Sequence, residues 1–151
     1  MQENTTSMFD KEEILHIALW MPNWIGDVVL SLPALQTLRT LYPSARITAI
    51  VKSPADQLLY DYSPLDSVIQ FPKNKGDGFI KQFNYALGLR KYQFDLGIIF
   101  PNSLHSAIML MFAGVRLRIG YSTDGRGIFL THPLPVTKKE FDFISNLGSK
   151  I

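Results

Sequence analysis

The sequence predicts an α/β fold of 151 residues, a three-layer sandwich with a mainly parallel sheet between helices. Two observations carry that expectation. The mostly apolar run Ile14-Leu15-His16-Ile17-Ala18-Leu19-Trp20 leads into a glycine-containing turn, beyond which Val28, Leu32, Leu35, Leu38 and Tyr42 recur at spacings of three and four. The first pattern suits a strand covered on both faces, the second a helix packed on a sheet. The alternation then repeats, and strand–helix–strand order implies right-handed crossovers between parallel strands.

Taken in order, residues 14–20 form the first strand and the turn opens a helix. Pro33 lies in that helix, where proline removes one hydrogen bond and costs roughly 3 kcal/mol outside the first turn. Either the helix starts near Ser31, with Ser31 as its cap, or it is kinked. Tyr42-Pro43-Ser44 stops it, and the β-branched residues 46–51 read as a second strand. Ser53-Pro54 looks like the start of a helix with Ala55, Leu58 and Leu59 on its apolar face, and residues 66–71 are a weaker third strand. A polar loop over residues 72–78 precedes a helix over 79–91. Residues 92–100 form a strand with a purely apolar end, Ser103 is suited to cap a helix to about residue 112, and residues 116–121 read as a fifth strand. Residues 129–131 suggest a short closing strand. Residues 132–136 read as an extended connector, because Pro133 and Pro135 disfavour helix for themselves and their predecessors. The organisation expected is a loose extension over residues 1–13, one domain over 14–136, and a tail over 137–151.

Composition narrows the function. With 46% hydrophobic and 12% aromatic residues there is ample material for a core, which excludes a disordered chain. Fifteen Lys and Arg against thirteen Asp and Glu leave a net charge of +2, so bulk charge does not argue for nucleic acid, and any anionic ligand needs a local cluster of cations. The absence of cysteine excludes disulfides, thiolate metal sites and a cysteine nucleophile. No apolar run is long enough to span a bilayer, and the polar, acidic residues 1–13 do not read as a signal peptide, so a cytoplasmic location is expected.

The candidate chemistry gathers where strands end. Gly26 lies at the first strand-to-helix joint, where a missing side chain allows close approach of a ligand. Asp27 follows in the first helical turn, where the helix N-terminus favours a carboxylate. It is either a dipole-matching residue or a base for a hydroxyl substrate. Lys73, Lys75 and Lys81 put three positive charges around the entrance to the 79–91 helix. They form either a solvated face or a site for phosphates and carboxylates. Asn102 and Ser103 follow the strongest late strand, at the carboxyl edge where open α/β sheets place ligands. His105 is a possible acid or base, or simply a polar first-turn residue. Arg118 and Arg126 are surface positions in one reading. No cluster of carboxylates suggests a metal, and no cofactor is expected.

Three of these segments resemble one family. The run Asn23-Trp24-Ile25-Gly26-Asp27-Val28-Val29-Leu30-Ser31-Leu32-Pro33-Ala34-Leu35 resembles the opening of the bacterial lipopolysaccharide heptosyltransferases, glycosyltransferase family 9. Pro101-Asn102-Ser103, then Ser106-Ala107 and Ala113-Gly114, resembles the second heptosyltransferase of the core pathway most. Arg116-Leu117-Arg118-Ile119-Gly120-Tyr121 followed by Arg126 is a third match. These enzymes move heptose from ADP-heptose onto the inner core of lipopolysaccharide, with two Rossmann-like domains of the GT-B type facing across a cleft. The resemblance covers nearly all of residues 14–136 and only the N-terminal, acceptor-side half. It implies Asp27 as the catalytic carboxylate, Gly26 beside the donor phosphates, and Asn23, Trp24, Lys73, Lys75, Asn102, Ser103 and Arg126 at the acceptor. Its implied partners are ADP-heptose, held mainly by a second domain that this chain lacks, and a Kdo-containing inner core. Peripheral contact with the inner membrane and a second-domain polypeptide are further implied partners; nucleic acid is not.

In the reaction so implied, the acceptor hydroxyl attacks the anomeric carbon and ADP leaves from the opposite face with inversion. A sugar hydroxyl is a weak acid, so Asp27 would orient it and accept its proton late. A second hypothesis is a non-catalytic remnant or binding module for an anionic glycan. A third, a generic dinucleotide-binding domain, lacks the Gly-x-Gly-x-x-Gly spacing in its first turn.

Overall fold

The computed structural model describes residues 10–72, 76–123 and 125–136. Nine regular elements are seen there: β1 (His16–Trp20), α1 (Ile25–Leu41), β2 (Arg46–Val51), β3 (Ser67–Gln70), α2 (Phe79–Gly88), β4 (Leu96–Ile99), α3 (Leu104–Phe112), β5 (Leu117–Tyr121) and β6 (His132–Leu134). The strands form one six-stranded sheet in the order β3-β2-β1-β4-β5-β6, and every neighbouring pair is parallel. Strand order therefore reverses between β1 and β4, the switch point at which a crevice opens beyond the carboxyl ends of the strands.

Alternation along each strand divides the core into two layers. Ile17 and Leu19 of β1, with Ile47, Ala49 and Val51 of β2, meet Val28 and Leu35 of α1 on one face. Ala18, Trp20, Ile50 and Ile99 meet Ala86 of α2 and Ala107, Met109 and Leu110 of α3 on the other. Val28 and Leu35 are fully buried, and removing a side chain of that size from water contributes about 1.5–3 kcal/mol.

Three local expectations change. Helix α1 runs unbroken from Ile25 to Leu41 with Pro33 inside it, so Ser31 is not its cap; the Ser31 hydroxyl donates to the Val28 carbonyl at 2.7 Å. Pro33 is exposed, and on that side water can satisfy the carbonyl its missing N–H leaves open. The helix expected after Ser53-Pro54 is a single 3₁₀ turn, Ala55–Leu58. The closing strand is His132–Leu134, not residues 129–131, because Arg126–Phe129 is a 3₁₀ turn. Pro133 is tolerated in β6 because that strand pairs only with β5 and lies at the sheet edge. Lys73, Lys75 and residues 137–151 lie outside the described residues, as does most of the loose extension.

Candidate functional site

The carboxyl ends of β1 and β4 are adjacent: Trp20 pairs with Ile99, and the Phe100 N–H donates to the Trp20 carbonyl at 3.1 Å. The two segments singled out in the sequence, residues 23–27 and 101–103, leave the sheet side by side at the switch point. On the other flank the Met21 N–H donates to the Ile50 carbonyl at 2.9 Å, which holds the start of the first segment against β2.

Helix α1 opens without help. Its N-cap, Trp24, makes no side-chain capping bond, and the first intrahelical bond runs from Val28 N–H to the Trp24 carbonyl at 3.0 Å. The amides of Ile25, Gly26 and Asp27 therefore have no intrahelical acceptor, and the helix dipole adds partial positive charge where they point. A Cβ built on Gly26 would meet nothing within 4 Å. The fold does not need glycine there, yet glycine weakens a helix relative to alanine by roughly 0.5–1 kcal/mol. Asn23, Trp24, Gly26 and Asp27 are all exposed, Trp24 at 76%. Among the described residues, no hydrogen bond or ion pair holds the Asp27 carboxylate.

The neighbouring helix start differs. Ser103 caps α3, its hydroxyl accepting from the Ser106 N–H at 3.4 Å, while the Ser106 hydroxyl donates to the Ser103 carbonyl at 2.7 Å. Asn102 is exposed, and its Oδ1 accepts from Arg126 Nη2 at 3.4 Å. With the oxygen turned toward the guanidinium, the Asn102 NH₂ group faces away as a donor.

Arg126 is neither a surface residue nor open to solvent; it is 0% exposed. Its guanidinium lies behind residues 101–103, donating to the carbonyls of Pro101 (2.6 Å) and Ser103 (3.3 Å), and its Nε donates to the Tyr121 carbonyl (2.5 Å). Arg118 is likewise tied to backbone, with Nε on the Phe129 carbonyl and Nη1 on that of Val115, at 2.7 and 2.6 Å.

His105 is half-buried between the rings of Trp20 and Phe71, at centroid distances of 6.3 and 5.9 Å. Its Nε2 is hydrogen-bonded to Gln82 Oε1, and Gln82 Nε2 donates to the Asp77 carbonyl at 3.2 Å. Lys81 pairs with the Asp77 carboxylate at 3.2 Å. This chain of contacts ties the entrance of α2 to the first turn of α3. Lys52, just past β2, is a cation at the same edge that the sequence reading passed over; its Nζ lies 5.9 Å from the Phe71 ring centroid. A lysine directly after an apolar strand was the available signal. Among the described residues no group of three or more His, Cys, Asp and Glu side chains is placed to hold a metal ion.

The chain is similar to known proteins in sequence and in fold. Residues 83–142 match the profile of glycosyltransferase family 9 (heptosyltransferase). The chain is 32% identical over 129 residues to lipooligosaccharide heptosyltransferase 2 of Haemophilus influenzae, covering 84% of this chain and 36% of that protein. Lipopolysaccharide heptosyltransferase 2 of Escherichia coli K12 is 29% identical over 106 residues, 70% of this chain and 30% of that protein. The solved structure of E. coli ADP-heptose lps heptosyltransferase II superposes with a TM-score of 0.75 at 25% identity, covering 83% of this chain and 36% of that one. The chain thus spans about a third of the length of these relatives, and the shared architecture is the mainly parallel α/β sandwich of GT-B-type enzymes.

Proposed function

For a chain that matches glycosyltransferase family 9 and is closely related to lipopolysaccharide heptosyltransferase II, we propose that residues 14–136 form the acceptor-side domain of an inverting heptosyltransferase. The observation that carries this reading is that residues 23–27 and 101–103 leave neighbouring strands side by side at the β1/β4 switch point, with Asn23, Asp27 and Asn102 exposed. The acceptor is the Kdo-containing inner core of lipopolysaccharide and the donor is ADP-heptose. The nucleotide is held mainly by a second Rossmann-like domain, as part of a longer polypeptide or as a separate one. A lipid-linked acceptor supports a cytoplasmic protein working at the inner membrane. No described helix is long and apolar enough to cross a membrane.

Each residue has a part in the reaction. Asp27 accepts a hydrogen bond from the acceptor hydroxyl and aims it at the anomeric carbon. As the new C–O bond forms, the C–O bond to the diphosphate breaks on the opposite face, ADP leaves with the electron pair, and Asp27 takes the hydroxyl proton late. The uncapped amides at the start of α1, with space in front of Gly26, favour the departing phosphate charge. Asn23, Trp24, Asn102 and Ser103 line the acceptor, the exposed Trp24 indole offering a flat face to a sugar ring. Lys73 and Lys75 are the cations assigned to the carboxylate and phosphate groups of that acceptor.

The test is a transfer assay with ADP-heptose and a Kdo-bearing lipid acceptor, run with this chain alone, with a family second domain added, and with Asp27→Ala in each mixture. Turnover that needs the added domain and falls about 10²–10⁴-fold with Asp27→Ala is the expected result. Acceptor binding without turnover in any mixture would instead identify a binding module for an anionic glycan, with Asp27 only matching the helix dipole.

A further inference from the structure

We propose that Arg126 is a positioning residue for the acceptor site, acting through the loop after β4 instead of touching a ligand. This inference rests on the acceptor-side reading above. The guanidinium has no exposed surface, so a ligand reaches it only by displacing protein. Four of its hydrogen bonds converge on the ends of two strands: Tyr121, the last residue of β5, and the Pro101, Asn102 and Ser103 positions that follow β4. The backbone of the loop is curled around the cation, with the Pro101 and Ser103 carbonyls turned inward.

Two glycines favour this geometry. A Cβ on Gly120 would lie 3.4 Å from Arg126 Nη2 and 3.3 Å from Ile99 Cβ, so Gly120 keeps open the gap through which the fork reaches the loop. Gly125, at φ +71°, adopts the left-handed conformation at the start of the 3₁₀ turn, one residue before Arg126. The fork itself must be arginine. A planar guanidinium presents five donors in fixed directions and reaches several acceptors at once, whereas a lysine ammonium offers one point of charge.

The consequence for recognition lies in Asn102. An exposed asparagine amide can present either its oxygen or its nitrogen. Arg126 Nη2 selects the orientation with oxygen inward and the NH₂ donors outward. A donor-only group suits the carboxylate and phosphate oxygens of an anionic sugar. Arg126 thereby sets both the position and the polarity of a residue that touches the acceptor.

The experiment uses the ¹⁵N-labelled chain as wild type, Arg126→Lys and Gly120→Ala, titrated with free Kdo and with inorganic phosphate. In the wild type, the Arg126 Nε–H resonance should exchange slowly and stay put during both titrations while the Asn102 side-chain amide moves. Both variants should keep the dispersed spectrum of a folded protein, shift the Asn102, Ser103 and Leu104 resonances before any ligand is added, and bind Kdo about tenfold more weakly. Movement of Arg126 Nε–H by either ligand, to the same extent as Asn102, would overturn the proposal by making Arg126 a direct contact. Unchanged loop resonances and Kdo affinity in both variants would overturn it too. If Kdo moves no wild-type resonance, the acceptor-side reading fails and this proposal fails with it, an outcome distinct from intact binding with an unmoved loop.

Discussion

At the amino ends of the strands, the Asp95 carboxylate accepts the N–H groups of Leu15 and His16, both at 2.9 Å. His16 bridges the Tyr92 carbonyl and Thr48 Oγ1 at 2.9 and 2.8 Å, and Thr48 passes the contact to Ser67 at 2.7 Å. Asp66 holds Arg39 at 2.5 Å and the Ile47 N–H at 2.7 Å. At the carboxyl ends, by contrast, Asp27 stands exposed beside a helix start that no side chain caps. Both ends carry carboxylates next to backbone N–H groups. At one end those groups satisfy each other and fix strand positions; at the other they are left for something else to satisfy. The difference separates polar residues that build the fold from polar residues available for chemistry, and it does so without reference to any relative.

Two substitutions test the contrast most directly. Asp27→Ala should remove the 10²–10⁴-fold effect of the base in the reconstituted assay while changing stability by only ~0.3–1 kcal/mol, the value of a carboxylate near a helix N-terminus. Asp95→Ala should do the reverse. It leaves two backbone donors without their charged acceptor, a loss of about 2–3 kcal/mol measurable by urea unfolding, with turnover per folded molecule unchanged. If Asp95→Ala abolishes turnover in folded protein, or Asp27→Ala unfolds the chain, the two ends are not specialised in this way.

Gly26→Ala sharpens the contrast further within the carboxyl end. Nothing in the structure lies within 4 Å of the added methyl, and alanine is the better helix former, so stability should be unchanged or higher by up to ~1 kcal/mol. Turnover should nevertheless drop ~10-fold or more if the open space admits the diphosphate, since small displacements of reacting groups are costly. Equal turnover in wild type and Gly26→Ala would remove Gly26 from the site.

The same division governs how much could be read in advance. Strands and helices that bury a periodic apolar face were visible in the sequence: β1 and α1 through the stripe ending at Tyr42, β4 through its apolar end, and α3 through Ser103. So was the placing of residues 23–27 and 101–103 at one edge, because both directly follow strands of a parallel sheet; that β1 and β4 are neighbours came only from the strand order. Arg126 was legible as a position but not as a buried fork, since burial of an arginine depends on acceptors brought together from the end of β5 and the loop after β4, and on the gap at Gly120. The 3₁₀ turn that carries it also displaced the closing strand to His132–Leu134. The His16, Thr48 and Ser67 chain was invisible for the same reason. Those side chains are 32 and 19 residues apart; the register sets Thr48 opposite Ser67 and His16 opposite Arg46, two residues before Thr48 on the same face, so the imidazole reaches Thr48 on the diagonal.

The smallest effect expected is the pH dependence of the amino end. Burial outweighs the Tyr92 carbonyl bond and the nearby carboxylates of Asp95 and Asp66, and with Arg46 it holds the His16 pKa below its ordinary value of 6.5. The unfolded chain therefore binds a proton near pH 6.5 that the folded chain refuses, and stability is lost as pH falls from there toward the folded-state value. Asp66 acts in the same direction at lower pH. Burial opposes its charge, but the Ile47 N–H and the Arg39 guanidinium prevail and lower its pKa from 3.8, so its contribution is lost on acidification below that value. Unfolding free energy measured between pH 7 and pH 5 should fall with a slope that His16→Gln flattens. A slope that survives His16→Gln would place the titrating group elsewhere and leave the His16, Thr48 and Ser67 chain with a purely geometric role.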